Sequence, residues 1–324
     1  MHTPTIHEGK YREILRRVAI NKKDLILPIF VKQTEAGRDQ INAMSTIRRI
    51  SLGEINQYSK IIIEAGISSI IIFGIPERRD RNGSYAASKD GLVQQSVRLI
   101  KQEFGDLLTI ITDVCVCQYN LSGHCGIAID NSYNIDNDSS LNLLSKIAIS
   151  HAEAGADIVA PSSMMDGQVR SIRNTLNDHG FEDKKILAYS VKQLSSLYTP
   201  FRSATFYKTD NYDAIDKSSY QIGYENKRQV MREIETDINE GSNMVMIKPG
   251  MLCTDLIYMI KKEFDFPLVV QSVSGEYAMI KAAAKQGWIN EEEWKINSFV
   301  SLKRAGADQI ISYFVMDITK YLDS

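Results

Sequence analysis

Long apolar runs are missing from this sequence, and no stretch approaches the roughly 18–20 residues needed to cross a bilayer. Met1 to Arg17 mix His, Glu, Lys and Arg without an apolar core, so no secretory leader is expected and the default location is the cytoplasm. Net charge is nearly absent as well: 38 Lys and Arg against 40 Asp and Glu leave a formal −2, with no long run of one sign. Such a balance gives no electrostatic reason to expect nucleic acid or an acidic membrane surface as a partner. Cysteine is scarce, and three of the four (Cys115, Cys117, Cys125) crowd together while Cys253 stands apart. A disulfide framework would spread its cysteines, and residues two apart on a strand bridge poorly. The cluster therefore reads as a metal site or as reactive thiols. A glycine-rich phosphate loop is also absent where a doubly wound sheet would more often carry one, since Pro28-Ile29-Phe30-Val31-Lys32 offers none.

What is present is a repeating alternation. Eight short, nearly continuous apolar runs recur at Leu25–Val31, Ile67–Gly74, Leu108–Cys115, Ala156–Pro161, Ile186–Lys192, Met244–Pro249, Leu268–Ser274 and Gln309–Phe314. Continuous rather than alternating runs indicate parallel strands buried on both faces. Several begin alike: Glu64-Ala65-Gly66, Ala154-Gly155-Ala156-Asp157, Glu240-Gly241-Ser242-Asn243 and Ala305-Gly306-Ala307-Asp308 each close a helical segment with glycine. Eight such units over about 300 residues point to an α/β protein with a closed (β/α)₈ TIM barrel at residues 24–324, preceded by an N-terminal arm at 1–23. The polar stretch Lys208 to Ser219 reads as a mobile loop or lid.

In such a barrel chemistry sits at the carboxyl ends of the strands. Those ends read Asp113, Cys115 and Cys117, then Ser162, Lys192, Lys248, Ser274 and Tyr313. Lys192 and Lys248 end neighbouring buried strands. Burial and a second cation both lower a lysine's pKa, so each is expected to offer a neutral amine that attacks a ketone or aldehyde to give an imine. The plainer alternative is a lysine that reaches solvent or binds an anion as a point charge. Cys115 and Cys117 can face one way on an extended segment, with Cys125 returning from the loop. Three thiolates leave one tetrahedral position open, the arrangement of a catalytic zinc. Ordinary buried thiols are the alternative, and His124 is either a fourth ligand or a locally packed side chain. Arg202 and Gln221 flank the polar stretch with Lys217 inside it, which suits a substrate carboxylate, while each alone also reads as solvated surface.

From about Asp24 to Leu322 the chain resembles the porphobilinogen synthase (5-aminolevulinate dehydratase) family. The motifs that carry the resemblance are Asp113-Val-Cys-Val-Cys117, Gly123-His-Cys-Gly126, Ala154-Gly-Ala-Asp-Ile-Val-Ala-Pro-Ser162, Met164-Met-Asp-Gly167, Tyr198 with Pro200-Phe-Arg202, Val245-Met-Ile-Lys-Pro249, Val273-Ser-Gly-Glu-Tyr277 and Arg304-Ala-Gly-Ala-Asp308. The resemblance implies a cytoplasmic lyase of tetrapyrrole (heme) biosynthesis, assembled as a homo-octamer through its arm. It condenses two aminoketone substrates, 5-aminolevulinate, into porphobilinogen with loss of two waters. Lys248 would hold the first substrate and Lys192 the second. Asp113 and Ser162 would contact the first amino group, and Ser274 and Tyr313 its carboxylate. Arg202, Lys217 and Gln221 would take the second carboxylate, with Tyr198 and Phe201 of the matching motif completing the pocket. Zinc would sit on Cys115, Cys117 and Cys125, and Glu233 would help bind an allosteric magnesium.

Several positions depart from the family pattern: Ser122, Ser163, Thr199, Lys217, Cys253, Gln271 and the stretch after Gln221. Lys217 replaces an arginine and so loses its bidentate fork. Gln271 replaces an aromatic beside the expected first imine. These changes also fit a paralogue that condenses a different aminoketone into another pyrrole or nitrogen heterocycle in secondary metabolism. A silent homologue acting in assembly would not need both lysines and all three cysteines. A class I aldolase would leave the second lysine unexplained.

Overall fold

The computed structural model describes residues 6–33, 39–129, 134–205 and 216–322. All eight expected strands form: β1 (Leu25–Lys32), β2 (Ser69–Ile75), β3 (Thr109–Val114), β4 (Ile158–Pro161), β5 (Lys185–Lys192), β6 (Met244–Lys248), β7 (Leu268–Gln271) and β8 (Gln309–Ile311). Each pairs in parallel with the next, and Leu25↔Ile310 with Ile26↔Ile311 join the last strand to the first. The barrel is therefore closed, as expected. Every residue of β1 and β2 is buried, because one face fills the barrel and the other packs under helices.

The helices, in chain order, are α1 (Ile6–Arg17), α2 (Ile55–Glu64), α3 (Leu92–Phe104), α4 (Asn137–Glu153), α5 (Gln168–Asp178), α6 (Thr199–Thr205), α7 (Lys227–Asn239), α8 (Thr254–Phe264), α9 (Ser274–Lys285), α10 (Glu291–Ala305) and α11 (Val315–Ile318). The described part of the expected arm is α1. It lies on the chain's own barrel, with Tyr11 edge-on to Tyr321 at 5.5 Å and Arg12 donating to the Lys320 carbonyl at 3.3 Å.

The repeated strand entries share a mechanical role. Asp157 accepts from the Ile110 N–H at 2.7 Å and Asp308 from the Leu268 N–H at 2.8 Å, while Asn243 accepts from the Ile186 N–H at 2.9 Å. Each also donates its own N–H to the carbonyl of the same residue. One side chain thus latches the start of the neighbouring strand, and the glycine two residues earlier (Gly155 φ 104°, Gly306 φ 124°) turns the chain into place. Lys101 and Lys261 hold the two aspartates at 2.8 and 2.9 Å. Asp308→Ala is expected to cost about 1–2 kcal/mol, since a charge-assisted bond is lost at a partly exposed site. Urea unfolding should register that loss, with activity per folded molecule unchanged.

A hairpin that the apolar runs did not announce, Asp39–Ile41 with Met44–Ser51, extends the sheet beside the second half of β1 through Phe30↔Arg49. Arg49 donates to the Ala204 carbonyl at 2.8 Å and to that of Ser203 at 3.3 Å. The hairpin thereby fixes the end of α6, the helix that carries Phe201 and Arg202.

Candidate active site

Lys248 and Lys192 are register partners on β6 and β5. Between Val245 and Ile247 the register slips, so that Tyr189 and Ser190 of β5 together oppose Met246. The extra residue lets Tyr189 and Lys192, three apart, both face the interior. Tyr189 lies under Lys248 with its ring centroid 4.4 Å from Nζ, and Lys192 lines the same cavity.

Lys248 is buried against the rings of Tyr189 and Tyr198, and its Nζ donates to Gln271 Oε1 at 3.1 Å. Burial lowers its pKa to about 7, helped by the Lys192 charge and opposed by Asp113 and the nearby thiols. That meets the expectation of a neutral amine. Lys192 does not. Burial again favours its neutral form, but Cys125, Cys115, Cys117 and Asp113 outweigh it and hold the amine protonated. Its Nζ donates to the Ser162 carbonyl at 2.7 Å and lies 3.5 Å from Cys125 Sγ. The two lysines are thus electrostatically unlike, and the second cation acts mainly on Lys248.

Asp113 is buried at the end of β3, and Gln118 donates to its Oδ2 at 3.1 Å. Burial raises its pKa, against Ser162, both lysines and Gln118. Three polar atoms expected to meet substrate, Asp113 Oδ1, Tyr313 OH and Gln221 Oε1, are buried without a partner. Two positions need correcting. Ser274 does not end β7 but opens α9, where its Oγ accepts from the Phe201 N–H at 2.9 Å and donates to the Leu197 carbonyl at 3.2 Å. Tyr313 lies two residues past the end of β8. Ser274 instead ties α9 to α6, which brings Phe201 and Arg202 over the barrel mouth.

The cysteines also differ in their local geometry. Cys117 lies in a turn that starts just after Cys115, not on an extended segment, because the Val116 carbonyl accepts from both the Tyr119 and Asn120 N–H groups at 2.9 Å. The turn brings their sulfurs to 3.3 Å. Asn120 then folds the following loop, accepting from the Gly123 N–H at 2.7 Å and donating to the His124 carbonyl at 2.8 Å, and this delivers Cys125. All three sulfurs lie within 4.8 Å of one another and are buried. Hydrogen bonding from Cys115 and Cys117 holds the Cys125 thiol well below the usual thiol range against burial, and the charges of Lys192 and Lys217 add to this. Lys217 points inward, donating to the Gly123 carbonyl at 2.9 Å and reaching Cys125 Sγ at 3.4 Å, and is not a solvated surface charge. His124 packs locally, its Nδ1 3.1 Å from the Tyr220 hydroxyl, and among the described residues only the three cysteines converge as ligands. The donor set fits zinc: tetrahedral Zn–S bonds of about 2.3 Å place sulfurs roughly 3.8 Å apart, and the neighbouring lysine amines suit the net negative charge that three thiolates leave over a divalent ion.

All of these groups line one cavity of about 50 Å³: Lys192, Lys248, Asp113, Ser162, Tyr198, Phe201, Arg202, Lys217, Gln221, Ser274 and Tyr313, with Cys117 and Cys125. That space holds only a few waters, so lining side chains must part to admit substrate. Of the lid expected at Lys208 to Ser219, residues 208–215 lie outside the described residues. Gln118, Tyr189, Tyr220, Phe73 and Val273 also contribute to the site without having been singled out from sequence. Gln118, Tyr220 and Val273 carried a positional signal, each lying next to a residue that the sequence had singled out.

The sequence profile of the delta-aminolevulinic acid dehydratase family matches residues 4–321. The chain belongs to this family. It is 42% identical over 313 residues to the delta-aminolevulinic acid dehydratase of Staphylococcus aureus (strain Mu50 / ATCC 700699), covering 96% of this chain and 95% of that one. The same identity and coverage relate it to that of Staphylococcus epidermidis (strain ATCC 12228 / FDA PCI 1200). Among solved structures, the Toxoplasma gondii ME49 delta-aminolevulinic acid dehydratase (porphobilinogen synthase), in complex with the reaction product porphobilinogen, superposes with a TM-score of 0.90. It is 33% identical and covers 99% of this chain and 92% of that one.

Within the dehydratase fold five of the departures from the family pattern fall in two settings. Gln271, Lys217 and the Thr199 turn border the cavity, whereas Ser163 and Cys253 are buried side chains that do not line it. Glu233 lies elsewhere, on α7, in a groove of about 1050 Å³ with Asp166, Asp237, Glu240, Arg228 and Arg232. Burial and the neighbouring Asp166 charge raise its pKa, and burial pushes Asp237 up to about 7.

Proposed function

We propose that this protein condenses two molecules of 5-aminolevulinate into porphobilinogen, releasing two waters through imines on Lys248 and Lys192. The observation that carries the reading is the pair of register-matched lysine amines opening into one cavity beside three convergent thiols. Relatives named for this activity at 42% identity support the usual substrate, and no comparison favours the alternative aminoketone.

Lys248, neutral near pH 7, attacks the ketone of the first substrate. Asp113 Oδ1 offers an unpaired acceptor to its amino group, with Ser162 alongside. Tyr313, whose hydroxyl is unpartnered, orients its carboxylate, Ser274 joins it by exchanging its bond to the Leu197 carbonyl, and Phe201 and Tyr198 exclude water. Arg202, Lys217 and Gln221 receive the second carboxylate. Lys192, whose Nζ donates to the Ser162 carbonyl at 2.7 Å, is held ready beside the second substrate. Cys115, Cys117 and Cys125 would hold zinc, which supplies Lewis-acid polarisation of a carbonyl or bound water. Glu233 would hold a magnesium ion that keeps most of its waters, since no set of three ligands gathers around it among the described residues. Residues 1–23 would serve as the arm of a cytoplasmic homo-octamer, with residues 24–324 as its catalytic barrel.

The deciding experiment is incubation of zinc-loaded protein with 5-aminolevulinate, followed by colorimetric and mass-spectrometric detection of porphobilinogen. Efficient, saturable production is expected. No product, or a condensed product of different mass, would overturn the assignment. A pH profile adds a second expectation. Lys248 has a depressed pKa near 7, so its reactive neutral form prevails above that value and is lost as pH falls through it. The acidic limb of kcat/KM should therefore bend near pH 7, measurable by initial rates between pH 5 and 9.

A further inference from the structure

Gln271 closes β7, is 2% exposed, and is fixed by its register with Ile311 of β8. The strand beside it, β6, carries Lys248, whose Nζ lies 3.1 Å from Gln271 Oε1. The amide oxygen is the atom turned toward Lys248, and an N–H on Nζ donates to it. The neighbouring Tyr189 and Tyr198 present ring faces to the amine at 4.4 and 5.4 Å, which offer no directional lone pair. Gln271 therefore supplies the directed acceptor on Nζ.

We propose that Gln271 is a catalytic residue that accepts the N–H of the protonated imine on Lys248 and so stabilises that intermediate. This inference rests on the imine reading of Lys248. In the net step the lysine ammonium and the substrate ketone give an iminium and water. The C–N bond forms and the carbonyl oxygen departs with two of the three nitrogen protons. The remaining proton, now on a cationic C=N nitrogen, points at Oε1. A protonated imine withdraws electrons from the adjacent carbon, so an acceptor that holds this proton favours the bond formation that follows. An apolar or aromatic side chain at this position would leave the N–H unpaired in a buried cavity.

The test uses the zinc-loaded, full-length protein with 5-aminolevulinate, quenched with borohydride within the first turnover. Peptide mass mapping then gives the substrate concentration that half-saturates the adduct on Lys248. Gln271→Met, or Gln271→Leu should the first fold poorly, is expected to raise that concentration at least about 10-fold, as befits loss of a hydrogen bond to a charged group. Gln271→Glu keeps an acceptor of the same reach and is expected to leave saturation close to that of the unaltered protein. Melting temperature and zinc content control for folding. An unchanged value in the apolar variants overturns the inference alone, as does equal weakening by Met and Glu, because a purely packing role would not separate the two. Absence of any adduct in the unaltered protein overturns both this inference and the two-imine reading.

Discussion

Lys248→Ala should lower porphobilinogen formation by at least about 10⁴-fold, the scale seen when a covalent nucleophile is removed from a site whose binding groups remain. The cavity would keep Asp113, Ser274, Tyr313 and Arg202, so substrate would still bind, but the amine that activates its ketone would be gone. The loss should reside in kcat more than in KM, and borohydride should no longer label the peptide containing residue 248. Misfolding can be separated from chemistry by a second variant. Lys248 is buried with a pKa near 7, against about 10.4 in an unfolded chain. Between those values the unfolded chain binds a proton that the folded site refuses, so the lysine destabilises the fold, and it does so most at the acidic end of that range. Lys248→Met should therefore melt no lower than the unaltered protein while remaining inactive. A Lys248→Ala protein with more than a tenth of normal turnover would remove the imine from the mechanism.

Removal of metal comes next in size. Treatment with a zinc chelator should reduce activity by about 100-fold or more, given what a Lewis acid contributes to carbonyl chemistry. Added zinc should restore it. Cys125→Ala should fail in that recovery. It removes the central ligand, and it also strips Lys192 and Lys217 of the anion lying 3.5 and 3.4 Å away. Both buried amines would then lose their sulfur partner, which opposes metal binding and the placement of the second amine. Atomic emission measurements should read one zinc per chain in the unaltered protein and a small fraction of that in the variant. Full turnover by protein verified as metal-free would leave the cysteines without a catalytic role.

The strands were legible because burial on both faces removes the need for alternation, and continuous runs such as Ile70-Ile71-Ile72 declare it directly. The Met44–Ser51 strand was not, since its Thr46 and Arg48 face outward and its anchor, Arg49, acts through Ala204, more than a hundred residues away. At the site, the identities of the lysines and cysteines could be read from their places at strand ends. The charge state of Lys192 could not. Its sign depends on a thiolate brought close by Asn120, Tyr220 and a turn at Val116, and no interval along the chain encodes that distance. Ser274 was placed at a strand end because Val273-Ser274 continues an apolar run, whereas Glu276 draws the chain into a helix by accepting from the Val273 N–H.

The slipped register at Tyr189 and Ser190 has an evolutionary corollary. Side chains on a strand alternate faces, so deleting Ser190 would leave Tyr189 and Lys192 two apart on the same face, with Lys192 still opposite Lys248. A barrel with one amine could bind and activate a single ketone but could not join two. The pairing of the two amines is therefore tolerant, in geometric terms, of gain or loss of that one residue in β5, and an ancestor without the slip could already have built a ring out of a pair.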